Sequence, residues 1–289
     1  MRKKFFIIIL LFVFAFGFWQ VKKAEFVRMN FVFIAKTVAV VSLEPKRNLA
    51  LFELPDNLYL ELPHGFGYYQ LGSVYELGEL EDRGAKLLEE TMQNYLGAPI
   101  DGYIKLSNCS IAQLSNCLLL SLLGRGETSL NRWQIFKFWW EIKRLRFDKV
   151  KSIVLAETNI LKKESLADGS EVLATEFFRL DELVKKYFDD SEIKKEAIKI
   201  EILNATNYPG LANQLARLVT NMGGEVISVS NSSIKYQVSS IKYQNESIKK
   251  TYTVRKLEKI LKVKAEVGEI GESRADLVIF VGEDYSKRI

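Results

Sequence analysis

Histidine and cysteine are nearly missing from this 289-residue chain, which has one histidine, His64, and two cysteines, Cys109 and Cys117. One histidine leaves little material for a histidine-based zinc site or a Ser-His-Asp triad. His64 lies in Pro63-His64-Gly65, a turn composition. There is no Gly-x-Gly-x-x-Gly and no Gly-Lys-Ser/Thr, so binding of a nucleotide by a glycine-rich loop has little support. Charge of one sign does not dominate either: the formal net charge is +5, and lysine is spread along the chain. Nucleic-acid binding is therefore not expected, whereas a basic surface near anionic lipid or an anionic polymer stays open. The two cysteines are eight residues apart. In a helix that spacing is about 12 Å along the axis, too far for a disulfide, whereas in a loop they could pair. The expectation is two free, buried thiols.

One long apolar run is present, at the N-terminus. Met1-Arg2-Lys3-Lys4 is basic, Phe5 to Trp19 is unbroken apolar or glycine, and Lys22-Lys23 follow. A helix from Phe5 to Val21 is about 26 Å long, slightly short of a hydrocarbon core of about 30 Å. Lysine side chains and Trp19 at the interface can cover the difference. A cleaved signal peptide is the alternative, but no small-x-small cleavage site is evident. The reading is an uncleaved anchor over residues 1–24, with the N-terminus cytoplasmic and the bulk of the chain outside.

The remainder reads as two α/β domains, residues 25–195 and 196–289, so the fold class is α/β: a single transmembrane helix followed by two α/β domains. Phe31 to Leu43 and Leu49 to Leu54 read as a hairpin, followed by a short strand at Leu58 to Leu62 and a glycine-punctuated aromatic loop. Asp82 to Leu96 is a helix with Leu88, Met92 and Tyr95 on one face and Gly97 as its stop, and Tyr103 to Leu106 is a strand. Ile111 to Leu123 reads as a buried helix. Ser152 to Ile160 and Glu171 to Phe178 read as strands, and Phe188 to Glu196 as a charged linker.

The most patterned segment is Ile198 to Gly223. A strand, Ile198 to Leu203, ends in Asn204-Ala205-Thr206-Asn207. After Pro209-Gly210 comes a helix whose apolar positions, Leu211, Leu215, Leu218 and Met222, recur every three or four residues. Gly223-Gly224 stops it, and Glu225 to Val229 is the next strand. Asn204, Thr206, Asn207 and Gly210 are candidate ligand-binding residues, since a polar turn before a helix can hold an anion. Shaping and capping the turn is the commoner use of such side chains. Further on, Ser232 to Gln237 recurs as Ser239 to Gln244. The odd offset of seven sends equivalent side chains to opposite faces of a strand, so one copy is expected to be a loop. Thr253 to Leu261 is a second helix, and Ala275 to Gly282 a buried, central strand.

Ile202 to Thr206, Gly210-Leu211-Ala212 and the Asp276 to Tyr285 ending resemble the C-terminal domain that accompanies LytR–CpsA–Psr proteins of bacterial envelopes. The resemblance implies an extracytoplasmic domain near the cell wall and names no reaction. Val41 to Lys46, Glu53 to Asp56, Tyr69 to Tyr75 and Leu87 to Tyr103 resemble the first half of the catalytic domain of the same family. That resemblance implies transfer of a glycopolymer from a polyprenyl pyrophosphate carrier to peptidoglycan, with arginines on the pyrophosphate and aspartates on a divalent cation. The chain departs from that pattern where the charges should be. Ile34-Ala35-Lys36-Thr37 stands for an arginine–serine–aspartate–threonine run, and Pro55-Asp56-Asn57 for proline–arginine–aspartate. Neither a lysine for a carboxylate nor an asparagine for a guanidinium preserves the chemistry. No catalytic residue, metal ligand or cofactor is therefore assigned. The expected role is non-catalytic binding or scaffolding at the wall, with the membrane and peptidoglycan or an anionic wall polymer as partners. The alternative is a divergent transferase, for which magnesium would be needed.

In the middle, Asn131 and Gln134 fit a helix-capping box. The helix that follows carries Trp133, Phe136, Trp140 and Leu145 on one side, which by the usual rule for aromatic stripes is its core side. Arg125, Arg132 and Arg144 are candidates for anionic-polymer binding, because basic residues beside aromatic rings suit anionic polymers or lipid head groups.

Overall fold

The computed structural model describes residues 27–268, 270 and 273–287. The expected anchor lies outside these residues. Among them no helix is long and apolar enough to cross a membrane.

Three strands start the chain: β1 (Met29–Ile34), β2 (Val38–Glu44) and β3 (Asn48–Leu54), antiparallel in sequence order. The apolar run read as one strand is thus two, folded at Ala35 to Thr37, because Ile34 pairs directly with Val38. A ribbon of β4 (Tyr59–Leu62) and β5 (Gly67–Gln70) leads into α1 (Leu71–Glu79), where the sequence reading had only a loop. Then come α2 (Gly84–Leu96) and β6 (Gly102–Lys105), with Gly97 at φ 56° closing α2 in the left-handed conformation.

Next are α3 (Leu114–Leu122), β7 (Glu127–Thr128), α4 (Arg132–Arg144) and β8 (Val150–Val154). Strands β6 and β8 join β1 and β3 in parallel, giving a six-stranded mixed sheet of order β7-β6-β1-β2-β3-β8. One face packs on α2 and the later α5 (Phe177–Phe188) through Val32, Phe52, Leu88, Met92, Val184 and Phe188. The other face packs on α3 and α4 through Phe31, Phe33, Leu118, Ile135 and Phe138. A two-stranded ribbon, β9 (Leu161–Ser165) with β10 (Glu171–Thr175), precedes α5.

The segment expected as a linker, Phe188 to Glu196, holds the last residue of α5 and a short helix. Helix α5 buries Leu180, Val184 and Phe188, a four-residue repeat. It is followed by α6 (Ser191–Glu196), which Asp190 caps by accepting from the Glu192 backbone N–H at 3.0 Å.

The last part is β11 (Lys199–Asn204), α7 (Leu211–Asn221), β12 (Glu225–Asn231), β13 (Ser240–Tyr243), α8 (Glu246–Lys249), α9 (Tyr252–Leu261), β14 (Ala265–Val267), β15 (Leu277–Val281) and α10 (Glu283–Ser286). Its five-stranded sheet has the order β12-β11-β15-β13-β14, with β15 in the centre as its apolar run predicts. The repeat resolves as the odd offset requires. The second copy buries Ile241 and Tyr243 in β13, while Ile234 of the first copy is exposed outside any strand.

Two expectations are overturned on the α3–α4 side. Cys109 and Cys117 form a disulfide, with Cα atoms 6.0 Å apart. The helix starts only at Leu114, after a short 3-10 turn, so Cys109 lies outside it and the helical separation never applies. The core side of α4 is also reversed. Ile135 and Phe138 are buried, with Trp139 and Ile142 packed beside them, while Trp133 is 41 % exposed. Helix α4 carries two apolar stripes, Trp133-Phe136-Trp140 and Ile135-Phe138-Ile142, so periodicity did not select its inner face.

Candidate functional site

The sequence halves meet along two contacts that flank a groove. On one side Arg217 of α7 reaches the end of α2. Its Nη1 donates to the Asn94 carbonyl at 2.9 Å, its Nη2 to the Tyr95 carbonyl at 2.8 Å, and its Nε to Asp181 at 2.8 Å. Asn221 donates to the Leu96 carbonyl at 3.2 Å. These carbonyls are among the last of α2, which have no partner within the helix. Gly97 permits the approach: a Cβ there would lie 2.8 Å from the Arg217 guanidinium carbon.

On the other side lies the groove, with a volume of about 520 Å³. Its walls are the start of β1 (Val27 to Met29), the first turns of α4 (Trp133, Lys137) and one face of α9. Tyr252, Arg255, Lys256 and Lys259 lie at i, i+3, i+4 and i+7, so α9 presents three cations along one stripe. Lys137 and Trp133 are one helical turn apart, with the ammonium 5.4 Å from the ring centre.

The groove carboxylate is Asp101, set by the turn between α2 and β6. It accepts from the Asn30 backbone N–H at 3.0 Å, from Lys256 Nζ at 3.2 Å and from Lys259 Nζ at 2.6 Å. Side-chain exposure is 5 % for Asp101 and 8 % for Lys256, so this is a buried ion pair across the two halves. Burial alone would raise the Asp101 pKa; Lys256, Lys259 and the Asn30 N–H hold it below its ordinary value. Behind it, Tyr252 donates to Asp190 at 2.9 Å, and burial raises the Asp190 pKa despite that bond. Arg28 is buried at the base, donating to Glu44 at 2.8 Å and to Ser42 at 2.7 Å. The N-terminus of α9 is occupied by Glu196, which accepts from the backbone N–H groups of Tyr252 at 2.6 Å and Thr253 at 2.7 Å. The anion-attracting capacity therefore resides in side chains, with Arg255, Lys259 and Lys137 at the mouth.

The residues singled out from sequence fall elsewhere. Asn204 and Thr206 are buried, and their polar atoms close the turn. Asn204 Oδ1 accepts from the Thr206 N–H at 3.0 Å, and Asn204 Nδ2 donates to the Tyr208 carbonyl at 2.8 Å. Asn207 and Gly210 are exposed, and Gly210 precedes α7 at φ 85°. Arg125, Arg132 and Arg144 are all exposed, but they are not one cluster. Arg132 lies beside the Gly124–Arg125 loop, 3.9 Å from a Cβ placed on Gly124. Arg144 sits at the far end of α4, about 18 Å away along the axis and 5.5 Å from the Trp140 ring.

The charged site implied by the catalytic-domain resemblance would lie at the opposite end of β1, where the turn at Lys36-Thr37 and the Pro55 to Asn57 segment meet. That end carries Lys105, bonded to the Tyr75 hydroxyl and 3.7 Å from Glu127. Among the described residues no group of three His, Cys, Asp or Glu side chains is placed to hold a metal ion.

The groove was missed from sequence because its walls come from three distant segments. The only local signal was the spacing of Arg255, Lys256 and Lys259 on one helix face.

A mixed α/β protein with two main sheets, each packed on helices, is the class defined by this fold. Residues 197–285, from just after α6 into α10, match the family described as LytR cell envelope-related transcriptional attenuator. No curated protein matches the chain. Among solved structures the chain is similar to TagU of B. subtilis, at 11% identity over 55% of this chain and 94% of that one, with a TM-score of 0.38. It is also similar to a transcriptional regulator from Enterococcus faecalis, at 10% identity, 68% and 88% coverage and a TM-score of 0.43. A third is a Streptococcus agalactiae protein, at 10% identity, 56% and 86% coverage and a TM-score of 0.43.

Proposed function

We propose that this chain is a membrane-anchored, extracytoplasmic envelope protein that holds an anionic wall polymer in the groove between its halves without transferring it. The observation that carries the reading is a groove of about 520 Å³ lined by Arg255, Lys259 and Lys137, with Lys256 already paired to Asp101. Phosphodiester or carboxylate groups suit the cations. The C-terminal domain's envelope family supports placement at the wall. The Cys109–Cys117 disulfide supports an oxidising compartment outside the cytoplasm. Residues 1–24 supply the anchor, and neither nucleic acid nor a cofactor has a part.

The non-catalytic element draws on two observations. The space over the sheet beside α2 and α5 is filled by buried side chains such as Phe52, Leu88 and Met92. The one cation of the opposite sheet end that stands among the tyrosines, Lys105, is already paired. The test uses the full chain in lipid nanodiscs, with wall sacculi that carry or have been stripped of their anionic polymer. Retention on the first and not the second is expected. Magnesium-dependent transfer of polymer from a polyprenyl pyrophosphate donor would establish the transferase alternative instead.

A further inference from the structure

The groove takes only Trp133 from the outward stripe of α4 and leaves the rest of the stripe unexplained. Trp133, Phe136 and Trp140 lie at i, i+3 and i+7, and their rings form a ladder. Trp133 and Phe136 centroids are 5.6 Å apart at 20°, and Phe136 and Trp140 are 6.2 Å apart at 28°. Leu123, 71 % exposed, adjoins the start of the helix beside Arg132, and Phe147, 92 % exposed, follows its end. Along α4, Arg132, Lys137, Lys143 and Arg144 are opposed by one acid, Glu141. Burying exposed tryptophan, phenylalanine and leucine while lysine and arginine stay at the phosphate level is the chemistry of an interfacial helix. A sugar platform would instead pair its ring with several hydrogen-bonding side chains, and this stripe offers cations and hydrocarbon.

We infer that the outer face of α4, flanked by Leu123 and Phe147, rests on the surface of an anionic bilayer. The chain's own geometry selects that occupant. Val27 lines the same groove as Trp133, so the described chain begins beside this helix. If the span ends at Val21, the six steps to Val27 reach at most about 22 Å at full extension. Val27, which lines the groove together with the start of α4, is therefore held within that distance of the membrane surface. Charge complementarity to anionic lipid adds to the tether, each cation near such a surface contributing about a fivefold preference. The inference rests on the anchored reading for the position of Val27. It adds an orientation, with α4 against the lipid and the groove mouth, which shares Trp133, opening at the head groups.

The experiment uses the full chain with Trp19→Phe and Trp139→Phe, leaving Trp133 and Trp140 as reporters. It is inserted into phosphatidylglycerol–phosphatidylcholine vesicles with or without bromine near the head-group end of the acyl chains. Co-flotation with strong bromine quenching is expected. Lys143→Glu with Arg144→Glu should lower the docked fraction by about fivefold per charge removed. Co-flotation without quenching overturns the inference and leaves the anchor standing, whereas failure to float overturns both. Emission changes with an added anionic polymer but none with bromolipid would assign the face to the polymer and also overturn it. A solvatochromic label on Phe147→Cys, read in the otherwise unchanged chain, gives the same decision if the tryptophan variants do not fold. Its emission should shift to the blue in anionic vesicles and not otherwise.

Discussion

Replacing Asp101 with asparagine should weaken the fold and strengthen anion binding at once. Asp101 is the buried partner of Lys256 and also bonds Lys259 and the Asn30 N–H. Asparagine keeps the volume and an acceptor oxygen but removes the charge. Breaking a buried pair by deleting one member typically costs about 3–5 kcal/mol, because the other charge stays desolvated. Lys259 is more than half exposed and the groove is open to water, so about 2–3 kcal/mol is expected. The intact pair need not stabilise by that amount, since replacing both partners together is often nearly neutral. Asp101→Asn with Lys256→Met should therefore recover most of the loss.

The pH dependence has a definite sign. The folded pKa of Asp101 is depressed, so its contribution is complete above the unfolded carboxyl value of about 3.9 and is lost as pH falls through the lower folded value. Asp190 is shifted upward and works in the opposite direction, so the difference between wild type and Asp101→Asn isolates the Asp101 contribution. Urea unfolding between pH 3 and pH 7 measures all of this, and titration with a phosphodiester polymer measures the binding half. A variant within about 0.5 kcal/mol of wild type at pH 7, with unchanged polymer affinity, would refute the reasoning about the groove.

Reducing the Cys109–Cys117 bond opens a short loop, for which chain entropy gives about 2–3 kcal/mol. Denaturation with and without a thiol reductant should show that difference, and its absence in a Cys109→Ser, Cys117→Ser chain serves as control. Asn204→Ala should cost about 1–3 kcal/mol, since it strands the buried Thr206 N–H, while the Tyr208 carbonyl keeps the Thr206 hydroxyl as a donor. Polymer binding should be unaffected; lost affinity without lost stability would restore a ligand role to that turn. Gly97→Ala places a methyl against Arg217 in a left-handed conformation and should lower the thermal midpoint. In an Arg217→Ala background only the conformational part, about 1 kcal/mol, should remain.

What the sequence made legible was local. The β11–α7–β12 unit could be read from Leu211, Leu215, Leu218 and Gly223, and the helix ending at Gly97 and the Asn131–Gln134 cap from short signals with a defined mechanism. Errors came where tertiary context decides. Helix α4 has two apolar stripes, so only the docking of Ile135 and Phe138 on Phe31 and its neighbours fixes which rings stay outside. The pairing of Cys109 was missed because the helical separation was applied to a residue that lies in the loop before the helix, which starts at Leu114. Helix α5 was hidden by Phe177 and Phe178, exposed aromatics that continue a strand-like pattern from β10. The groove was the least legible, because Asp101 meets Lys256 only after both sheets have formed and packed.

The most direct test of the central claim is a titration of a glycerol-phosphate polymer into the full chain in neutral-lipid nanodiscs, for wild type and for Arg255→Gln with Lys259→Gln. Saturable binding that weakens with salt and falls about tenfold or more in the double variant is predicted, with comparable unfolding midpoints for the two chains. Equal affinity for both, or binding that ignores salt, would contradict a polymer-holding groove between the two halves.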